Sequence, residues 1–254
     1  SDGNSGGRVH PEPDDPLRTP VQVDQRRILT CTAFRRLSGK TQVFTGELDD
    51  YHRTRLTHTP EVASIARTLA RALRLNEDLA ETLALAHDIG HPPFGHAGED
   101  VLNDCLASVG GFSHNRQALR IVELLEHRRP DQTGLNFSLE VLTCQAGRVA
   151  KRIAQTRTLL EAQLVDAADS IAYNTHDADD ALRLGLVELD EMLELPLWAE
   201  AARRVHGRYA ALAGDNLKRA VLHELIDWQV GELFAETSRK LADGRFDSVA
   251  DVTA

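Results

Sequence analysis

Fourteen consecutive residues bring together five side chains that could do chemistry. The run from residue 86 to residue 99 contains three histidines and two carboxylates: His87, Asp88, His91, His96 and Glu99. The adjacent imidazole and carboxylate of His87 and Asp88 form a mixed N/O donor set of the kind that binds first-row divalent metals. Two donors do not complete a site, so further ligands must come from elsewhere in the chain. The plainer alternative, an ion pair at a helix end, is weakened by the other three side chains.

His87 and Asp88 need an element that carries them into a cleft. The apolar spacing of residues 79–86 predicts a helix, and Asn76 suits its N-cap. Gly90 suits the residue just after the helix, and the two prolines that follow prevent the helix from continuing. We therefore expect His87 and Asp88 in the last turn of this helix, with their side chains projecting into a cleft.

Composition favours an all-α protein without a membrane segment. Aromatic residues make up 5% of the 254 residues, and little Gly or Pro interrupts the long Leu- and Ala-rich periodic segments. The formal net charge of −10 argues against a surface that coats nucleic acid, although a local basic pocket stays open. The three cysteines are far apart, which argues against a disulfide framework and favours a reducing cytoplasm. No apolar run approaches the roughly 18 residues of a membrane span.

By composition the chain divides into three parts. Residues 1–20 are rich in Gly, Pro, Ser and Asp, which predicts a flexible N-terminal lead-in. Residues 21–241 predict one helical domain, long enough to bury a substantial core. Residues 242–254 predict a frayed C-terminal tail.

Two basic groups stand out in this acidic chain. Seven Lys and Arg residues fall between Arg26 and Arg55, and four more occur between Arg148 and Arg157 without an acid among them. A solvated helix face is one interpretation of such groups. A site for an anion is the other, since Arg and Lys are the usual partners of phosphate.

A long helix predicted over residues 159–184 carries a second candidate face. Asp169, Tyr173 and Asp177 recur every four residues, which places two carboxylates and a phenol on one side of the helix. Acids in such a row usually form no more than a solvated face. His58 lies near the start of another predicted helix, with Pro60 in its first turn, and has an equally plain interpretation as a capping or packing residue.

Taken together, five separated phrases resemble the HD-domain metal phosphohydrolases, and specifically the dGTPase-like branch of the deoxynucleoside triphosphate triphosphohydrolases. The His-Asp pair of the family is here His87 and Asp88. The phrases occur in the family's order within residues 17–185; they are residues 34–44, 53–58, 87–99, 112–117 and 168–177. The resemblance implies an all-α fold, an HD-domain helical bundle with a metal site in a central cleft.

The resemblance also implies four metal ligands: His58, His87, Asp88 and Asp169. Asp169 is preferred to Asp166 because the family phrase places its ligand just before Ile-Ala-Tyr. Two imidazoles and two carboxylates leave positions for water and phosphate oxygens on a roughly six-coordinate divalent ion. Such a set is compatible with Mn²⁺, Mg²⁺, Fe²⁺, Co²⁺ and Ni²⁺, so the ligand types do not choose the metal.

The family reaction converts a deoxynucleoside triphosphate and water into the deoxynucleoside and inorganic triphosphate. A metal would polarise a phosphoryl oxygen and lower the pKa of bound water, and an imidazolium would protonate the departing 5′-oxygen. By resemblance His96 and His114 are the candidates for this acid–base work, and the choice between them stays open. Glu99 would orient one of them, and His91 would contact the phosphates or the attacking water.

The remaining implied residues concern the substrate. Gln42 matches a family position that reads the deoxyribose and the base edge, and Arg55 one that packs on the base. Tyr173 matches a position that fills the space of a missing 2′-hydroxyl, and Asp177 one that accepts a hydrogen bond from the 3′-hydroxyl. The resemblance makes dGTP the candidate preferred substrate. Relatives form symmetric hexamers or tetramers, so we expect a homo-oligomer.

Two other functions remain open from the sequence. Another HD activity, such as a nucleotidase or an alarmone hydrolase, would release phosphate or pyrophosphate instead of triphosphate. A non-catalytic regulator would bind a nucleotide without turnover, although binding alone needs no metal–water chemistry. A nucleic-acid-binding role beside catalysis has little support from the acidic balance but stays open, and the expected location is cytoplasmic.

Overall fold

The computed structural model describes residues 6–43, 53–154 and 158–244. These residues form eleven α-helices and no β-strand, which confirms the prediction of an all-α fold. The helices are α1 (Pro20–Thr30), α2 (Thr32–Arg35), α3 (Arg55–Ala72), α4 (Glu77–Ala86), α5 (Gly95–Cys105), α6 (His114–Arg120), α7 (Leu139–Ala154), α8 (Leu160–Arg183), α9 (Leu189–Leu193), α10 (Pro196–Arg208) and α11 (Gly214–Asp243). Among these described helices, none combines the length and the apolar composition needed to cross a membrane.

The described chain forms two compact units. The first contains the chain up to Asp166 and the second runs from Ala167 to Gly244, so the boundary falls inside α8. The expected division into a lead-in over 1–20, one domain over 21–241 and a tail from 242 stays a prediction. Helix α11 continues to Asp243, and residues 245–254 lie outside the described part of the chain.

In the first unit, α4 packs against both α1 and α3. Helix α4 starts as the sequence predicts, because the Asn76 side chain accepts the Leu79 backbone N–H at 3.1 Å and caps the first turn. The apolar side chains of α4 are buried with those of its neighbours, and they include Ile28, Val62, Ala66, Leu69, Leu83 and Ile89. Burial of this apolar surface holds α4 in place, and with it the His-Asp pair that follows the helix.

Buried ion pairs anchor the segment that precedes α1. The Arg8 guanidinium pairs with Asp24, and the Arg27 guanidinium pairs with Glu12. Asp24 is fully buried, and burial raises the pKa of its carboxyl even though Arg8 opposes that shift. Removing one partner by mutation would leave the other charge buried and unpaired, at a cost of about 3–5 kcal/mol.

The second unit has its own core between α10 and α11. Trp198 is buried there and packs with residues such as Val221. Trp228 is only half-buried: the Arg204 guanidinium lies 3.8 Å from the centre of its ring, and its indole N–H donates to Glu232 at 3.1 Å. The two tryptophans therefore stabilise this unit in different ways, one by apolar burial and one by cation–π and hydrogen-bond contacts.

Candidate active site

Helix α3 supplies Arg55 and His58 from its N-terminal end. A capping box starts the helix: the Thr54 hydroxyl accepts the Thr57 backbone N–H at 3.2 Å, and the Thr57 hydroxyl accepts the Thr54 N–H at 3.0 Å. The helix therefore begins at Arg55, so Pro60 lies inside it and not in its first turn as the sequence suggested. His58 is fully buried, which restricts its ring to the interior of the first unit.

Helix α4 ends at Ala86, one residue before the His-Asp pair. His87 caps this end and Asp88 follows in the turn, so both residues lie just beyond the last helical turn in which the sequence placed them. The His87 Nδ1 lies 2.6 Å from the Ala84 carbonyl oxygen. Because a carbonyl oxygen can only accept, this contact places the proton on Nδ1 and leaves the lone pair of the ring on Nε2.

His58, His87 and Asp88 converge into one buried group, which we call the metal group. Each residue can offer one ligand atom, and the three atoms lie within 4.8 Å of one another. The rings of His58 and His87 meet edge to face, with their centroids 5.5 Å apart. Two imidazoles and one carboxylate at this spacing fit a divalent metal ion, which binds N and O donors that converge on one point.

The Asp88 carboxylate is also held by Arg55. The Arg55 Nη1–H donates to Asp88 Oδ2 at 2.8 Å, and both side chains are buried. Burial on its own would raise the pKa of the Asp88 carboxyl, but the neighbouring His87 ring and then the Arg55 guanidinium hold that pKa below its usual value. Asp88 therefore keeps the negative charge that a metal ligand needs.

Gly90 lets the turn after Asp88 approach α6 closely. A Cβ atom on Gly90 would lie 2.1 Å from the His114 carbonyl oxygen and 2.3 Å from the Ala118 nitrogen, so no larger residue fits without a backbone shift. The φ angle of Gly90 is not positive. Packing therefore requires this glycine. Helix α4 ends at Ala86 with His87 as its cap, so Gly90 does not follow the helix directly, and the predicted position of Gly90 is wrong. The close contact brings the N-terminus of α6 next to the His-Asp turn.

A second group, which we call the histidine–glutamate group, consists of His91, His96, Glu99 and His114, with ligand-type atoms within 4.8 Å of one another. The Glu99 carboxylate lies 2.8 Å from His114 Nδ1 and 3.3 Å from His96 Nδ1, and it accepts the His114 backbone N–H at 2.9 Å. The His91 and His114 rings stack with centroids 4.4 Å apart. Glu99 and His91 are buried, whereas the His96 side chain is 64% exposed, so the group opens to solvent at His96.

Burial and hydrogen bonding set different charges within the histidine–glutamate group. Burial would raise the pKa of Glu99, but the hydrogen bonds from His114 outweigh burial and bring that pKa to about 2. Burial lowers the pKa of His91 to about 3. Burial also lowers the pKa of His114, where the Glu99 carboxylate opposes the shift. At neutral pH Glu99 is therefore ionised and His91 is neutral. The pKa of His114 depends on two opposing effects: burial lowers it and the Glu99 carboxylate raises it.

Lys40 belongs to this region although the sequence analysis predicted no role for it. Its ammonium donates to the His91 carbonyl oxygen at 2.6 Å, across 51 residues of sequence. Burial lowers the pKa of Lys40. The only signal in the sequence was the place of Lys40 in the basic segment from Arg26 to Arg55, because a contact with a distant backbone oxygen leaves no local pattern.

Gln42 and Arg55, the two predicted substrate residues of the first unit, are both buried. Gln42 Oε1 and Arg55 Nε have no hydrogen-bond partner among the residues that the structure describes. The Arg55 Nη2–H donates to the Gln42 carbonyl oxygen at 3.4 Å, which links the two residues. Each residue therefore keeps one polar atom that a ligand could satisfy. The chain that follows Val43 lies outside the described part of the structure until residue 53.

Asp169, Tyr173 and Asp177 lie on α8 within the second unit. All three are partly buried, and their four-residue spacing puts them on one face of the helix. Asp166, the alternative ligand, belongs to the first unit and pairs with Arg148 Nε at 3.2 Å. The choice of Asp169 as the fourth ligand stays a prediction.

The chain is similar to known proteins over its whole length. The family model described as HD domain matches residues 55–174. A deoxyguanosinetriphosphate triphosphohydrolase-like protein of Azoarcus sp. (strain BH72) is 46% identical over 266 residues, which cover 100% of this chain and 70% of the relative. Proteins of the same description from Brucella anthropi and Ralstonia nicotianae are 47% and 44% identical, over 98% of this chain and 68% of each relative.

We expect Glu99→Gln to lower the pKa of His114 further. The amide keeps the size of the side chain and can still accept the His114 backbone N–H, but it lacks the charge that favours the imidazolium. An NMR titration of the ring protons measures this pKa. His206, exposed on α10, serves as the control, and its ring resonances should be the same in both proteins. A His114 pKa that rose or stayed constant would contradict the assigned role of the carboxylate.

Proposed function

Because the chain belongs to the HD domain family, and to its deoxyguanosinetriphosphate triphosphohydrolase-like proteins, we propose that it hydrolyses a deoxynucleoside triphosphate to the deoxynucleoside and inorganic triphosphate. The observation that carries this proposal is the pairing of the metal group with the histidine–glutamate group in one unit. The short turn from Asp88 to His91 joins them. One group could hold a metal and the other could carry a proton, and hydrolysis of a phosphate ester uses both.

In the metal group, His58, His87 and Asp88 would hold a divalent ion, and Asp169 is the proposed fourth ligand. When bound, such an ion stabilises charge on the phosphoryl oxygens and activates water for attack on the α-phosphorus. The donors do not select one metal, so Mn²⁺, Mg²⁺, Fe²⁺, Co²⁺ and Ni²⁺ are all candidates. The hydrogen bond from Arg55 keeps the Asp88 carboxylate charged and oriented.

His114 is the proposed acid that protonates the 5′-oxygen as the bond between that oxygen and the α-phosphorus breaks. Glu99 holds the ring through Nδ1, which leaves Nε2 to carry the transferred proton. We favour His114 over His96 because its side chain is only 15% exposed and its ring is held by two neighbours. His91, kept neutral by burial, would contact the phosphates or the attacking water.

The proposed substrate contacts follow the family positions. Gln42 would read the sugar and the base edge, Arg55 would pack on the base, and Tyr173 and Asp177 would contact the sugar. The buried polar atoms of Gln42 and Arg55 that lack partners among the described residues support the first two roles. Arg148 Nη1 is likewise buried without such a partner, which supports a contact with the triphosphate. We propose dGTP as the preferred substrate and a homo-oligomer, a hexamer or a tetramer, as the assembly.

Product analysis tests the reaction class first. We expect the protein, incubated with Mn²⁺ or Mg²⁺ and each of the four deoxynucleoside triphosphates, to release deoxynucleoside and intact triphosphate. Chromatography of the nucleoside and phosphorus NMR of the phosphate product measure both. Release of phosphate or pyrophosphate would favour another HD phosphohydrolase activity instead. Tight nucleotide binding without any product, in every metal, would favour a regulator.

Asp169→Ala tests the fourth ligand. We expect loss of bound Mn²⁺ together with loss of turnover, because the ion would lose one of its carboxylates. Asp166→Ala is the matched control one helical turn earlier, since Asp166 pairs with Arg148 and should leave the Mn²⁺ content unchanged. Metal analysis of the dialysed proteins measures the outcome. Full Mn²⁺ content in Asp169→Ala would remove Asp169 from the ligand set.

His114→Gln and His96→Gln together test the assignment of the acid. We expect His114→Gln to lower kcat by about 10²–10⁴-fold, the usual contribution of general acid–base catalysis, while its Mn²⁺ content stays that of the wild type. His96→Gln should lower kcat much less, because His96 is exposed and has one long contact with Glu99. The reverse order of the two effects would transfer the role to His96.

A further inference from the structure

We propose that His96, Glu99 and His114 form a second metal site, which takes Zn²⁺ and shares no ligand with the metal group. The ligand-type atoms of the three residues lie within 4.8 Å of one another. All three belong to the first unit, His96 and Glu99 on α5 and His114 at the start of α6. The proposed hydrolysis uses His114 and Glu99 for proton transfer and needs no metal at this position. A zinc site here would therefore be an additional property of the chain.

The distances among the ligand atoms suit a tetrahedral zinc ion. Bonds of about 2.0–2.1 Å at tetrahedral angles place neighbouring ligand atoms roughly 3.3–3.4 Å apart. Glu99 Oε2 lies 3.3 Å from His96 Nδ1 and 2.8 Å from His114 Nδ1. The first of these edges already has the required length, and the second must open by about half an ångström. A small rotation of one side chain supplies that change.

The carboxylate of the site is fixed before any ion binds. Glu99 is buried and accepts the His114 backbone N–H at 2.9 Å, so its position does not depend on a metal. The His91 ring stacks on the His114 ring with only 18° between their planes. Rings so nearly parallel cannot both point a nitrogen at one ion, so His91 supports the His114 ring and water completes the coordination.

The types and exposure of the ligands favour zinc over magnesium. Two imidazoles and one glutamate, with a position left for water, are a donor set that proteins use for Zn²⁺. Mg²⁺ prefers oxygen ligands and gives up its water reluctantly. The His96 side chain is 64% exposed, which gives an ion from solvent direct access to the site. Zn²⁺ can therefore bind here, also when an excess of Mn²⁺ occupies the metal group.

Occupancy of this site would inhibit the hydrolysis, a consequence that rests on the proposed function. Zn²⁺ would replace the protons on the two Nδ1 atoms that face the Glu99 carboxylate. Each ring would keep or take up one proton at Nε2, so that it coordinates as a neutral imidazole, and any surplus proton would pass to solvent. The carboxylate would then coordinate the ion and no longer orient the His114 ring for proton transfer. Zinc bound at this site would thus act on the step that protonates the leaving oxygen, even while Mn²⁺ occupies the metal group.

Zinc stoichiometry tests the site itself. Metal-stripped protein is dialysed against buffered Zn²⁺ and its metal content is measured by mass spectrometry. We expect two equivalents in the wild type, one in His96→Gln and one in His58→Gln, which removes a ligand of the metal group. His127→Gln, at an exposed histidine outside both groups, is the control and should retain two equivalents. A wild-type zinc content that His58→Gln abolishes, or a content that His96→Gln leaves unchanged, would overturn the proposal.

Inhibition by zinc tests the consequence separately. With Mn²⁺ saturating, added Zn²⁺ should inhibit the wild type, and a chelator at low concentration should reverse that inhibition. Relative to its own uninhibited rate, His96→Gln should need at least about 10–100-fold more Zn²⁺ for half-inhibition, because losing a residue that only orients a ligand already costs that much affinity and His96 is a proposed ligand itself. Equal sensitivity of the two proteins would overturn the inhibitory role. If no hydrolysis is found at all, the proposed function fails, and the stoichiometry still decides whether the zinc site exists.

Discussion

The close approach of the His-Asp turn to α6 is the constraint on which the rest of the site depends. A side chain at Gly90 would overlap backbone atoms of His114 and Ala118, and backbone atoms cannot move aside as the end of a flexible side chain can. Because Gly90 has no Cβ atom, the turn that follows α4 can contact the backbone of α6. Through this contact the residue after the turn, His91, reaches the ring of His114. The metal group and the histidine–glutamate group are thus joined by packing as well as by sequence.

Two buried carboxylates in this unit are kept ionised by different means. Asp88 is compensated by charged neighbours, among them Arg55 at 2.8 Å, whereas Glu99 is compensated chiefly by hydrogen bonds from the backbone and the ring of His114. Between them His91 is buried without a carboxylate of its own, so burial keeps it neutral. An ionised carboxylate that converges with two imidazoles, as Asp88 does, suits the holding of a cation, and a carboxylate hydrogen-bonded to an imidazole, as Glu99 is, suits the orientation of a proton. The surroundings of Asp88 and Glu99, more than their carboxylates, give these two residues different roles.

Local signals in the sequence predicted the elements better than the contacts between them. The Asn76 cap and the apolar spacing after it predicted α4 correctly, because both depend on residues within one or two turns. The start of α3 was predicted wrongly from Pro60, since a capping box at Thr54 starts this helix before the proline. The role of Gly90 was predicted wrongly for a different reason: it depends on the close approach of α6, which leaves no local signal in the sequence. The proximity of His58 to His87 was predicted from the family resemblance, and no spacing in the chain indicates it.

An arrangement that orients a proton also has the means to bind a metal. In the histidine–glutamate group one carboxylate faces two Nδ1 atoms, at 2.8 and 3.3 Å, and such spacing serves a hydrogen bond or a zinc ion almost equally well. What separates the two uses is exposure and rigidity. His114 is mostly buried and stacked on His91, which keeps its ring in the orientation that a proton donor needs. His96 is exposed to solvent, so its ring can rotate to coordinate an ion. A group with one enclosed and one exposed histidine on the same glutamate can therefore either orient a proton or bind zinc. The metal content of the group decides which of these two functions it has.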